Sequence, residues 1–121
     1  MSDTRNTIVI VEDDDGLRRA LQRLLKLAGF DTLAFESAEA LQAANVVERA
    51  GCLVLDVQLR GMSGPALYEQ LGASRPPAVF ITSHDNASTR HAVARAGGVE
   101  LLIKPFAGTD LLEVIARTGR S

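Results

Sequence analysis

Cysteine is almost missing: Cys52 is the single one in 121 residues. No internal disulfide can form, so a reducing compartment fits the chain. Its setting inside the apolar run CLVLD marks it as a small core residue rather than a nucleophile. With only His84 and His91 beside it, no Cys/His spacing of the kind that holds zinc is present. An excess of basic charge is also lacking. Formal net charge is -2, so nothing supplies the basic stripe that nucleic-acid binding usually needs. No apolar stretch approaches the length of a membrane span, and MSDTRNT at the start carries no signal-peptide apolar core. The expectation is a cytoplasmic protein that contacts neither membrane nor nucleic acid directly. Long linkers, repeats and low-complexity tracts are missing too. With 46% apolar and 23% charged residues, the composition is that of one globular domain with a core of its own.

Short apolar runs alternate with helix-like segments along the whole chain. The runs are TIVIV (7–11), TLAF (32–35), CLVLD (52–56), AVFIT (78–82) and ELLI (100–103). Several are continuously apolar, as strands buried on both faces of a parallel sheet are. After the first, Leu17, Ala20, Leu21, Leu24, Leu25 and Ala28 recur at helical spacing, and Gly29 stands where a helix ends in a left-handed residue. Ser37 can cap a second helix over 38–45, and Pro65 fits the first turn of a third over 65–71. Asp85 or Asn86 can cap a fourth that ends before Gly97 and Gly98. A fifth runs from about Asp110 to Arg117 with Leu111, Leu112, Ile115 and Ala116 inward. Helix four, ASTRHAVARA, offers only Val93 and alanines for burial, which predicts low local stability. Five strand–helix units with right-handed crossovers give a (βα)5 fold, and the commonest five-strand solution is the doubly wound, flavodoxin-like three-layer sandwich with parallel strand order 2-1-3-4-5.

In such a sheet, ligands sit beyond the carboxyl ends of the strands. Strand 1 ends in Glu12 and Asp13, strand 3 in Asp56, strand 4 in Thr82 and strand 5 in Lys104. The topology therefore brings three carboxylates, a hydroxyl and an ammonium to one edge. Asp13 and Asp56 facing each other cannot both stay ionised cheaply without a cation, and hard oxygen donors with open positions suit Mg²⁺. Asp56 is the best nucleophile, since a carboxylate can accept a phosphoryl group. Lys104 and Thr82 could then contact the phosphate oxygens. Each residue has a plainer role available. Asp14 and Asp15 fit the N-cap and first turn of helix one, and Glu12 and Asp13 could simply be solvated. Thr ends many strands, and Lys104 alone would be a surface lysine. Asp56 is harder to set aside, because an acid closing an apolar run is expensive unless paired.

These residues resemble the receiver domain of two-component response regulators over nearly the whole chain. IVIVEDD resembles the family's first strand and acid pair, LDVQLRGMSG (55–64) its phosphoacceptor loop, FITS its switch hydroxyl and IKPF its lysine before proline. The motifs look most like FixJ-like receivers, which are joined to a helix-turn-helix output domain. The resemblance implies that Asp13 binds Mg²⁺ directly and Glu12 mostly through water, with Asp56 and the backbone carbonyl of Gln58 as further ligands. It implies a phosphohistidine donor on a sensor histidine kinase or phosphotransfer protein, and a cis bond between Lys104 and Pro105. Two positions depart from the family. Arg60 stands where proline is usual, and Leu101 replaces the Tyr or Phe often found three residues before the lysine.

The leading expectation is one receiver domain over residues 1–121 with no output domain. Mg²⁺-dependent phosphorylation of Asp56 would bias a surface made by helix four, strand five and helix five toward a homodimer or a partner. It would be a signalling phosphoacceptor rather than an enzyme in the usual sense, though it could catalyse its own phosphorylation and dephosphorylation. The alternative is an unphosphorylated interaction module of the same fold, against which the complete set Glu12, Asp13, Asp56, Thr82 and Lys104 argues. A haloacid-dehalogenase-like phosphohydrolase would need an acid where Gln58 stands. A flavodoxin relative would need phosphate-binding donors where this chain has four acids.

Overall fold

The computed structural model describes residues 6–118. Five parallel strands form one sheet in the order β2-β1-β3-β4-β5. They are β1 (Thr7–Val11), β2 (Asp31–Phe35), β3 (Cys52–Asp56), β4 (Ala78–Thr82) and β5 (Glu100–Ile103). Between and after them run α1 (Asp15–Leu27), α2 (Ala38–Ala44), α3 (Gly64–Gln70), α4 (Ala87–Arg95) and α5 (Gly108–Thr118). This is the flavodoxin-like topology that the alternating pattern predicts.

Alternation of side chains along each strand splits the core in two. Val9, Val11, Leu53, Leu55 and Phe80 pack with Leu41 of α2, Leu67 and Tyr68 of α3 and Val93 of α4. Ile8, Ile10, Val54, Val79 and Ile81 pack on the other face with Leu21 and Leu25 of α1 and Leu111, Val114 and Ile115 of α5. The central strands β3 and β4 are buried throughout, which is why CLVLD and AVFIT carry no polar alternation. Cys52 lies in this core, and burial pushes its thiol up to about 12. A thiol so hard to ionise is not a nucleophile at neutral pH.

The helix starts follow from local chemistry. Asp14 Oδ1 accepts from Leu17 N–H, Ser37 Oγ from Ala40 N–H and Asn86 Oδ1 from Thr89 N–H. Asn86, not Asp85, is thus the cap of α4; Asp85 instead pairs with Arg90. Gly29 takes φ +100° and ends α1 as expected. Several details differ from the sequence expectation. α3 begins at Gly64 because Ser63 Oγ caps it by accepting from Ala66 N–H. In α5 the third inward residue is Val114, while Ala116 is exposed. The larger branched side chain removes more apolar surface from water, so the helix rolls toward it. The same preference leaves Ala20 and Ala28 of α1 exposed while Leu21 and Leu25 are buried. A short 3₁₀ turn, Val47–Arg49, precedes β3. The weak apolar face of α4 is plain, with Thr89 and Val93 as its buried residues. No helix among the described residues is long and apolar enough to cross a membrane.

Candidate metal and phosphoryl-acceptor site

The register of the sheet brings the polar residues to one edge. Val11 pairs with Leu55, Asp56 with Ile81 and Thr82 with Ile103, so the strand ends lie side by side. Backbone bonds continue past the ladder, Glu12 N–H to Phe35 O and Lys104 N–H to Thr82 O. They fix the residues that follow the last strand positions. The Lys104–Pro105 peptide is cis.

At this edge the Lys104 ammonium donates to Glu12 Oε1 at 2.8 Å and to Asp56 Oδ2 at 3.0 Å. Glu12 is fully buried and Asp56 nearly so. The other oxygens of this pair are also engaged: Asp14 N–H donates to Glu12 Oε2 and Gln58 N–H to Asp56 Oδ1, both at 3.0 Å. Glu12, Asp13 and Asp56 each offer a carboxylate oxygen, and the three atoms lie within 4.8 Å of one another. Burial drives the Glu12 carboxyl up to about 7, although Lys104 pulls the other way. Burial alone would lower the Lys104 ammonium; the carboxylates of Glu12 and Asp56 more than offset that and hold it above its ordinary value. The site is therefore short of positive charge. An all-oxygen donor set with three carboxylates matches a hard divalent cation such as Mg²⁺ and offers nothing to a soft one.

Thr82 is fully buried. Its hydroxyl donates to Gln58 Oε1 at 2.7 Å and accepts from His84 N–H at 3.0 Å. The structure thus brings together Glu12, Asp13, Asp56, Gln58, Thr82 and Lys104, the six residues singled out in the sequence. Asp14 caps α1 and Asp15 pairs with Arg18 of its first turn, which divides the four acids into two sets. His84 and His91 are exposed, and neither joins the cluster of Glu12, Asp13 and Asp56.

Three contacts of the loop between β3 and α3 were not legible beforehand. Glu39 Oε2, on α2, accepts from Met62 N–H at 3.2 Å. Arg60 reaches Asp13 with both its backbone N–H, at 3.3 Å, and its side-chain Nε, at 3.4 Å. Gly64 has no room for a side chain, since a Cβ there would sit 2.2 Å from the Asp56 carbonyl oxygen. The Ser63 cap could have been read from Ser-Gly-Pro at a helix start. Nothing in the local sequence marks Glu39.

Residues 8–116 match the family described as response regulator receiver domain. The nodulation protein W of Bradyrhizobium diazoefficiens is 35% identical over 120 residues, 97% of this chain and 53% of that protein. Among solved structures, the response regulator StyR matches with TM-score 0.82 and 42% identity, covering 93% of this chain and 58% of that one. The crystal structure of FixJ-N matches with TM-score 0.85 and 32% identity, covering 98% and 95%. The fold and the polar edge together define a signalling domain of two-component systems. The chain belongs to the response-regulator receiver family, close to its FixJ-like members. It spans about half the length of several of the curated relatives it matches, 53% of nodulation protein W and 57% of the transcriptional regulator FixJ of Rhizobium meliloti.

Proposed function

We propose that the domain accepts a phosphoryl group on Asp56 from a phosphohistidine of a sensor histidine kinase or phosphotransfer protein, in a Mg²⁺-dependent reaction. The observation that carries this reading is the Asp56 carboxylate itself. It is buried, bridged to Glu12 by Lys104 and flanked by Asp13. Glu12, Asp13 and Asp56 would hold the ion, with the Gln58 carbonyl as a further ligand. When bound, it would neutralise charge on the transferring phosphoryl group.

The chain's own groups do the rest. One Asp56 oxygen forms the new O–P bond as the donor's N–P bond breaks; the donor imidazole keeps the bonding pair and takes up a proton. Gln58 N–H and Lys104 orient the carboxylate. After transfer, Lys104 would contact the phosphoryl oxygens, and Thr82 would reach them by giving up its bond to Gln58. That exchange would bias β5, α5 and the thinly packed α4, a surface suited to a homodimer or a partner protein.

The test is incubation with acetyl phosphate, with and without Mg²⁺, read by intact mass beside Asp56→Asn. The expected result is a Mg²⁺-dependent gain of one phosphoryl group that the variant lacks. No gain by the folded protein would return the domain to the class of unphosphorylated interaction modules.

A further inference from the structure

Each of the three clustered acids is met by a cation of the chain itself. Lys104 serves Glu12 and Asp56. Asp13 is served by Arg60, the residue that replaces the family's usual proline. The two cations differ in how firmly they are held. Lys104 is 18% exposed between two buried carboxylates, whereas the Arg60 side chain is 88% exposed and makes its contact from solvent.

We propose that Arg60 is a tethered counter-ion that competes with the divalent cation for Asp13 and so weakens the metal affinity of the site. The inference rests on the metal reading given above. Both partners draw on the same carboxylate. Arg60 Nε approaches Asp13 through Oδ2, and a direct metal ligand must give an oxygen of that group to the ion. A guanidinium remains charged at any physiological pH, so the competition does not depend on proton uptake. It also repels a divalent ion that enters beside it. Because Arg60 is exposed, it can swing into water once displaced, and its effect is one of tuning rather than of blocking.

The loop has anchors that do not use this side chain. The Arg60 backbone N–H donates to Asp13. Met62 N–H is held by Glu39 from the other side, and Gly64 N–H by Val57 O. A change of charge at residue 60 therefore separates electrostatics from architecture.

Mg²⁺ binding to the folded domain would be measured by titration calorimetry for the unaltered protein, Arg60→Gln and Arg60→Lys, at low salt and at about 0.5 M NaCl, where the Debye length falls to roughly half its physiological value. Arg60→Gln should bind about two- to tenfold more tightly at low salt, from loss of one exposed ion pair and one nearby positive charge. Arg60→Lys should stay near the unaltered protein, and the gap should narrow at high salt. Equal affinity of the unaltered protein and Arg60→Gln, or a gap that ignores salt, would overturn the role of Arg60 while leaving the metal site intact. Absence of Mg²⁺ binding in both, with circular dichroism showing folded protein, would overturn the metal reading itself and this inference with it.

Discussion

Replacing Lys104 with Met keeps an unbranched stem of similar length and deletes the ammonium. What remains is Glu12, fully buried, and Asp56, nearly so, with no protein cation between them. Two charge-assisted hydrogen bonds are lost, and removing one partner of a buried ionic cluster costs about 3–5 kcal/mol. One effect reduces this. Glu12, already pushed up to about 7 by burial, can take a proton and leave Asp56 as the one buried charge. The net expectation is a loss of roughly 2–4 kcal/mol at pH 8. Toward pH 5, where Glu12 is neutral in both proteins, it should shrink to about 1 kcal/mol. The loss at pH 8 is a large share of the roughly 5–15 kcal/mol by which domains are stable. Urea unfolding followed by circular dichroism, without divalent ions, measures the difference directly. A loss under about 1 kcal/mol at pH 8, or one that does not change with pH, would refute the argument that Lys104 neutralises a charge-strained pair. Millimolar Mg²⁺ should restore more stability to the variant than it adds to the unaltered domain, because the ion replaces the missing charge.

Glu12→Gln should remove a pH dependence. The carboxyl titrates at about 7 folded against 4.5 unfolded, so its contribution is fully present below 4.5 and is lost as pH rises through about 7. The unaltered domain should therefore lose up to roughly 3 kcal/mol more than the variant between pH 4.5 and 8 in divalent-free buffer; parallel stability curves would contradict this. Gly64→Ala should destabilise by at least about 2 kcal/mol, lowering Tm by about 5 °C or more, because the added Cβ would overlap backbone rather than a movable side chain. An unchanged Tm in a thermal scan would show that the loop relaxes freely.

The strands were legible because their chemistry is local. Runs of branched apolar residues bounded by polar ones specify β1, β3, β4 and β5 to the residue, and β2 to within one. Capping residues marked the starts of α1 and α2 and narrowed that of α4 to Asp85 or Asn86, since a side-chain oxygen three residues before an N–H acts within one turn. Strand order followed from right-handed crossovers together with the commonest five-strand arrangement, and that order brought Glu12, Asp56, Thr82 and Lys104 to one edge. The sequence by itself thus determined the elements, their order and the composition of the polar edge. Only the tertiary structure decided which partners those residues take. Lys104 meets Glu12 across 92 positions, Arg60 meets Asp13 across 47 and Glu39 meets Met62 across 23. It also decided that α5 turns Val114 rather than Ala116 inward, and that Glu12 is buried deeply enough to hold its proton near neutrality. Pattern and propensity act between neighbours in the chain, whereas burial and ion pairing act between neighbours in space, and the folded sheet alone makes Glu12, Asp56 and Lys104 neighbours.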